Sequence, residues 1–215
     1  MNMTAIRDED MQGRKAGNRP WRWALLALTL ALSLPAQAES YRMDLIVFLD
    51  RNAPGEAGRR ATLPSSATAI ALDNIAALQG AGIRLLPESD FALEESWQRL
   101  RNSKRFQPLL RLAWIQKDPP GERGPALRLR LGQQQSLTDT DGGAFLIAPV
   151  EGSVALLLNR YLMLDADLAY TQPNGSSYRL RERRRMKRDE LHHLDSPRLG
   201  IIAKVAKAAS TGGTP

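Results

Sequence analysis

The sequence predicts an α+β fold with a mainly antiparallel β-sheet and one or two packed helices. Leucines alternate with arginines over residues 127–131. Over residues 178–186, read as a strand, Tyr178, Leu180 and Met186 fall on one face and the arginines at 179, 181, 183 and 185 fall on the other. Such period-two alternation is typical of half-buried strands. Over residues 91–100, apolar residues recur at helical spacing instead, which indicates an amphipathic helix. We expect one sheet of six to eight strands.

The N-terminal segment, residues 1–38, has the features of a secretory signal peptide. Basic residues precede an apolar run at 23–34, and the AQA segment at 36–38 fits a cleavage site before Glu39. The apolar run is shorter than the roughly 20 residues that a membrane-spanning helix needs. An acidic cluster before Met11 is foreign to a signal peptide, so we expect the natural start at Met11. The mature protein is therefore predicted to be soluble in the periplasm.

Composition limits the stabilising devices and the partners of the mature chain. The sequence contains no cysteine, so disulfides, thiolate metal sites and lipid attachment to a cysteine are excluded. Without the first 38 residues, which hold five basic and three acidic side chains, the net charge falls from +7 to +5. An exported basic protein meets anionic partners such as cell-wall carboxylates, whereas export argues against nucleic acid. We expect one domain over residues 39–206 and a disordered tail over residues 207–215.

The first half of the mature chain predicts one strand and one clear helix. Residues 41–49 form the first predicted strand, which is apolar on both faces in its second half. This favours a central strand covered on both sides, or at least one that is buried at its far end. Residues 67–86 allow a strand edge followed by a short helix. Ser89 or Asp90 can cap a helix that runs to Arg101.

The second half of the mature chain is dominated by strand patterns. Strands are predicted at residues 108–116, 127–131, 150–158 and 199–205. The first two are expected to form an antiparallel pair. Periodicity leaves open whether residues 159–160 turn the chain back or one long strand runs through them. Residues 189–194 are expected to form a single helical turn.

The most distinctive stretch is the arginine-rich strand at 178–186, which follows a Pro173-Asn174-Gly175 turn signal. A three-residue loop with Gly175 in the left-handed conformation places Tyr178 opposite Tyr170. The same register opposes Leu180 to Leu168, Arg181 to Asp167 and Arg183 to Asp165. Free positive charge is then expected at Arg179, Arg184, Arg185, Lys187 and Arg188. Charge runs usually face solvent, and a ligand-facing patch is the alternative.

No motif of the common hydrolases, phosphate-binding loops, dinucleotide sites or zinc proteases occurs in the sequence. The only candidates for metal or acid–base chemistry are Glu190, His192, His193 and Asp195. Adjacent histidines point apart on a strand or a helix, and one histidine with one carboxylate is too few ligands for zinc. We interpret His192 or Asp195 as bonding to backbone groups in the turn. No catalytic residue, metal or cofactor is predicted.

Several segments, in order, carry a family resemblance. They are YRMDLIVF at 41–48, LAWIQ at 112–116, RYL at 160–162, RRM at 184–186, ELH at 190–192, LD at 194–195, Pro197, and LG at 199–200. In these segments the chain resembles the CsiV family of periplasmic peptidoglycan-binding proteins. The resemblance covers essentially the whole mature chain, and its C-terminal part is the specific one.

The resemblance implies a non-enzymatic factor that promotes cell-wall assembly and cell shape. It implies support of a bifunctional penicillin-binding synthase and of the synthase's outer-membrane lipoprotein activator. Motif position and chemistry together predict the ligand-binding residues, because planar guanidinium groups suit carboxylates and phosphates. The predicted residues are Arg160, Tyr161, Arg184, Arg185 and His192.

Two other functions are weighed against peptidoglycan binding. A protein-interaction module would act on wall enzymes without binding peptidoglycan, and the strand at 127–131 would offer an edge for strand addition. A wall hydrolase would use Glu190 or Asp195 as acid or base. Such chemistry needs paired carboxylates in a sheltered cleft, and the sequence gives no sign of one.

Overall fold

The computed structural model describes residues 39–53, 68–138 and 142–209. Within them the chain is mostly antiparallel sheet with two α-helices, so the predicted α+β class is confirmed. The strands are β1 (Ser40–Asp50), β2 (Ile70–Ala71), β3 (Ile83–Leu85), β4 (Phe106–Lys117), β5 (Leu127–Leu131), β6 (Gln135–Thr138), β7 (Ala144–Ile147), β8 (Val150–Leu158), β9 (Leu162–Thr171), β10 (Ser177–Met186), β11 (Leu191–Asp195) and β12 (Leu199–Lys207); the helices are α1 (Ile75–Gly80) and α2 (Glu94–Arg101).

The described strands form two five-stranded sheets and a two-stranded ribbon, where the sequence led us to expect one sheet. The first sheet has the order β11-β12-β1-β4-β3, and the second has the order β10-β9-β8-β5-β2. The ribbon is β6 with β7. All pairs are antiparallel except β2 with β5, which is parallel. The expectation of a single sheet was wrong because alternating patterns report which strands have a buried face but not which strands share a sheet.

One hydrophobic core joins the two sheets. It includes the inner faces of β1, β4 and β12 from the first sheet and of β5, β8 and β9 from the second. Trp114 of β4 is fully buried, and its indole N–H donates to Gln116. The Gln116 side chain in turn donates to the Leu156 carbonyl of the second sheet, at 3.4 Å. The two sheets are therefore connected by a satisfied polar contact as well as by apolar packing.

The first sheet is also covered on its outer face, the face turned away from the shared core. Ile46 and Phe48 of β1 pack there against Phe91, Leu93 and Leu100. Strand β1 is thus central and buried on both faces, as predicted. Helix α2 begins at Glu94, after a 3₁₀ turn at Glu88–Asp90, so Ser89 and Asp90 are not its caps. The helix starts late because residues 91–93 are held against β1.

Two predictions about neighbouring segments were wrong. Strands β4 and β5 do not pair, because β4 lies in the first sheet and β5 in the second. The Pro- and Gly-rich segment 118–126 carries the chain between the sheets. Residues 191–195 form strand β11 rather than a helical turn, because they pair with β12. A turn at 159–161 separates β8 from β9, which settles the alternative left open by periodicity.

The predicted hairpin register is confirmed in full. Tyr178 lies opposite Tyr170, and their rings stack with centroids 6.4 Å apart. Gly175 has the predicted positive φ, at 82°. The other predicted pairs also occur, namely Leu180 with Leu168, Arg181 with Asp167 and Arg183 with Asp165.

None of the helices within the described residues has the length and apolar character to cross a membrane. The predicted signal peptide, most of the loop after β1, and the end of the tail lie outside the described residues.

Candidate functional site: a charged groove on the second sheet

The outer face of the β9–β10 hairpin carries acidic and basic side chains in register. Asp167 lies opposite Arg181 but bonds diagonally to Arg179, with its two oxygens 2.7 and 2.6 Å from Nε and an Nη of the guanidinium. This pair raises the pKa of Arg179, chiefly through the hydrogen bond to Asp167. Arg183 pairs with Asp165, as its register predicts. Arg181 is therefore exposed and has no carboxylate partner among the described residues.

The remaining basic residues of the stretch are only partly free, which corrects the predicted distribution of charge. Arg184 pairs with Glu182 at 2.6 Å, and Lys187 with Glu190 at 3.5 Å. Arg184 lies on the same face of β10 as Leu180 and Met186, because it alternates with Arg185 along the strand. The two adjacent arginines of the predicted site thus point to opposite faces of the sheet.

Three of the predicted site residues come together at the end of the hairpin. Tyr161 is the last residue of the turn between β8 and β9 and is 39% exposed. The guanidinium carbon of Arg185 lies 3.5 Å from the centroid of the Tyr161 ring. The guanidinium carbon of Arg160 lies 5.5 Å from the same centroid. Both arginines are within the range of cation–π attraction. They hold the ring where the outer face of the sheet meets the turn.

His192 has a structural partner. Its Nε2 accepts a hydrogen bond from the backbone N–H of Lys187, at 2.9 Å. This contact closes the corner at residues 187–190, where Asp189 adopts a positive φ of 64° and the chain passes from β10 to β11. The prediction that His192 fixes the turn through the backbone is confirmed. The structure does not bring His192 to the Tyr161 cluster.

The segment before β5, residues 118–126, lines one side of a groove on the second sheet, which the sequence did not predict. The carbonyl of Pro120 accepts a hydrogen bond from the backbone N–H of Leu158, at 2.8 Å, which fastens the segment to the end of β8. Glu122 and Arg123 follow and stand over the outer face of the second sheet. Both are exposed, and neither has an ion-pair partner among the described residues. The sequence signal that could have pointed to these two residues is the presence of charges within a Pro- and Gly-rich connection.

Together these parts form what we call the charged groove. One part lies over Ala155 and Leu157 of β8, and the other lies beside Asn159 and Met163. The two parts share Glu122, Arg123 and Arg183. The charged and aromatic side chains that line the groove are Glu122, Arg123, Arg160, Tyr161, Asp165, Asp167, Arg181 and Arg183.

A second cavity lies on the outer face of the first sheet, beside α2. Phe48, Phe106 and Ile202 line it, and His193 and Asp195 lie at its rim. Within the described parts of the chain, no group of three or more metal-ligating side chains is close enough to hold an ion. Both the charged groove and the cavity beside α2 therefore offer hydrogen-bond donors and charged side chains to a ligand.

Comparison with known proteins gives one match. Residues 23–208 match the model of the family described as peptidoglycan-binding protein, CsiV. No curated protein matches the chain, and no solved structure matches it. The family match covers most of the sequence, from the apolar run of the predicted signal peptide to the end of β12. The chain therefore belongs to the CsiV family of peptidoglycan-binding proteins.

Proposed function

We propose that the protein is a non-enzymatic peptidoglycan-binding factor of the periplasm and that the charged groove is its contact surface. Membership of the CsiV family supports peptidoglycan as the ligand. The observation that carries the choice of surface is the set of guanidinium groups without carboxylate partners along one groove. Arg123 and Arg181 are unpaired among the described residues, and Arg160 contacts only the ring of Tyr161. Guanidinium groups bind carboxylates with a planar, bidentate geometry.

The proposed contact surface includes Arg160, Tyr161 and Arg185. Tyr161 and Arg185 hold each other in place, so little side-chain freedom is lost when a ligand binds there. Arg184 and His192 fit a supporting role better, since one is paired with Glu182 and the other with the backbone of Lys187. The signal peptide predicted from the sequence at residues 1–38 supports the periplasmic location.

The finer part of the proposal concerns partners. We propose that the bound protein supports a bifunctional penicillin-binding synthase and its outer-membrane lipoprotein activator, and so promotes wall assembly and cell shape. The family resemblance supports this part. Crosslinking in living cells, followed by identification of the captured proteins, tests it.

Co-sedimentation with purified sacculi tests the ligand. The purified protein is expected to pellet with sacculi at physiological salt. Arg181→Ala and Arg123→Ala are expected to weaken binding, each by about tenfold or more, since a hydrogen bond to a charged group contributes about 1.5–3 kcal/mol. Arg99→Ala is the matched control, because Arg99 is 77% exposed on α2 and pairs only with Glu95. Failure of the unsubstituted protein to pellet would remove the proposed ligand.

One observation favours a protein-interaction module as the second candidate. Strand β2 pairs only with Leu127 and Arg128. Within the described residues, the rest of β5 is therefore an open edge that a partner strand could extend. This candidate predicts crosslinks from residues 129–131 to a wall enzyme, together with no pelleting of the purified protein on sacculi.

A further inference from the structure

The unpaired charges of the groove have both signs but unequal numbers. Arg123, Arg160 and Arg181 have no carboxylate partner among the described residues. Glu122 has no basic partner there either. A ligand that completes the groove therefore needs several acidic groups and at least one basic group. A purely anionic polymer would leave the Glu122 carboxylate facing like charge.

Two ion pairs on the outer face of the hairpin leave Arg181 without a carboxylate partner. Asp167 and Asp165 are bound to Arg179 and Arg183 across the hairpin. Arg181 lies between these two pairs on the same face of β10. Because Asp165 and Asp167 are both engaged, neither carboxylate on the outer face of the hairpin pairs with Arg181, and its guanidinium is available to a ligand. The backbone beneath it is a continuous ten-residue strand.

The aromatic content of the groove is poorly suited to sugar rings. Tyr161 is the one aromatic residue among the described residues that line it. One guanidinium, that of Arg185, already lies 3.5 Å from the ring centroid. A sugar ring that stacked on this tyrosine would have to displace a favourable cation–π contact or share the ring with it. The groove thus offers charge recognition rather than a platform for stacking.

We propose that the charged groove binds the peptide stems of peptidoglycan and not its glycan chains. The stem carries several carboxylates, and in walls that contain diaminopimelate it also carries a free amino group. Arg123 and Arg181 bind stem carboxylates, and Glu122 binds the amino group. This inference rests on the proposed function, because it names the part of the same ligand that the groove recognises.

A competition experiment separates the two parts of the wall. The full protein is first bound to intact sacculi. It is then challenged with stem peptides released by an amidase, with the glycan chains left by the same digestion, or with stem peptides whose carboxylates have been amidated. The stem peptides are expected to displace the protein, and the glycan chains at matched concentration are not. The amidated peptides are expected to compete at least about tenfold less well, since charge-assisted hydrogen bonds are lost.

Direct titration of the released stem peptide tests the residues. Arg181→Ala and Glu122→Gln are expected to weaken stem binding by about fivefold or more, whereas Arg181→Lys keeps part of the affinity because it keeps the charge. Arg99→Ala is expected to bind like the unsubstituted protein. Thermal unfolding of each variant checks that it is folded, and substitution of exposed side chains leaves stability nearly unchanged.

The possible outcomes separate the inference from the proposed function. Displacement by glycan chains but not by stem peptides overturns the inference and leaves the proposed function intact. Equal competition by native and amidated peptides also overturns it, because charge would then play no part. No binding of the unsubstituted protein to intact sacculi overturns the proposed function itself.

Discussion

Asp44 is a carboxylate that is 2% exposed on the outer face of β1. It accepts two hydrogen bonds from the guanidinium of Arg42, at 2.7 and 2.9 Å, and one from the backbone N–H of Ala92, at 2.8 Å. Arg42 also donates to the carbonyl of Asp90. The YRMD part of the first strand therefore fastens the segment before α2 to the sheet. This gives a structural reason for a charged pair within an otherwise apolar strand.

Replacing Asp44 by alanine is expected to lower the free energy of unfolding by about 2–4 kcal/mol. The substitution leaves the amide of Ala92 without its acceptor and removes both hydrogen bonds between Asp44 and the guanidinium of Arg42. Urea denaturation measures the change. Glu95→Ala is the control, since that carboxylate is 81% exposed and its loss is expected to change stability by at most about 0.5 kcal/mol. Equal effects of the two substitutions would contradict the structural role of Asp44.

Asp50, at the end of β1, makes stability depend on pH. Hydrogen bonds from Arg105 hold the pKa of its carboxyl below the ordinary value of 3.8. Its contribution to stability is therefore fully present above pH 3.8 and is lost as the pH falls through the lower, folded-state pKa. The difference in Tm between the unsubstituted protein and Asp50→Asn is expected to be largest near neutral pH and to shrink as the pH falls below 3.8. A difference that stays constant over this range would contradict the ion pair.

At the scale of the single element, the β9–β10 hairpin shows what a sequence can predict. The Pro-Asn-Gly turn specified the loop, and the alternation of apolar and charged residues allowed one register. Both signals are local, and every predicted pair occurs. The choice of ion pairs was less predictable. Asp167 reaches Arg179 diagonally rather than Arg181 opposite it, because long side chains on one face can reach diagonal neighbours.

Elements whose structure depends on distant partners could not be predicted. The segment 191–195 has only five residues and no clear strand pattern of its own, and pairing with β12 makes it a strand. Strands β4 and β5 are neighbours in sequence, and nothing local indicates that the loop between them changes sheets. The cluster of Arg160, Tyr161 and Arg185 was partly predictable from motif position. The position of Arg123 in the groove could not be predicted, because this residue lies in the same loop between β4 and β5.

Gly200 of β12 is required by close packing between two strands. A Cβ at this position would overlap the ring of Phe48, which also packs edge-to-face on Phe106 with centroids 5.4 Å apart. Gly200→Ala is therefore expected to lower the free energy of unfolding by about 1–3 kcal/mol. Gly80→Ala is the control, because a Cβ there meets nothing within 4 Å and Gly80 ends α1. Its stability is expected to be unchanged or higher by up to about 1 kcal/mol. Equal destabilisation in both variants would contradict the account of Gly200.

At the scale of the whole molecule, the proposed binding surface lies on the second sheet, whereas the outer face of the first sheet packs against other parts of the chain. The outer face of the first sheet is largely covered by α2 and the segment before it. The outer face of the second sheet carries the charged groove. The shared core holds the strands beneath the groove in place, so the proposed ligand meets a preformed surface. The sequence could not predict that the described strands form two five-stranded sheets, or which face of each sheet is open, because alternating patterns do not report sheet membership.

The charge of the whole chain predicts a dependence on salt. Binding to sacculi through exposed arginines is expected to weaken steadily from about 50 to 500 mM NaCl, because the screening length falls below 10 Å above about 0.1 M. Co-sedimentation across this range measures it. Arg181→Ala is expected to bind with a shallower dependence. Binding that is indifferent to salt would indicate contacts other than these arginines.

The charged groove on the second sheet is proposed to bind peptidoglycan through its guanidinium groups. A crystal structure of the protein with a soluble muropeptide that keeps both its sugars and its stem would show the contact itself. The account predicts stem carboxylates within about 3 Å of Arg181 or Arg123, with the sugars outside the groove. A muropeptide bound elsewhere, for instance in the cavity beside α2 on the first sheet, would contradict it.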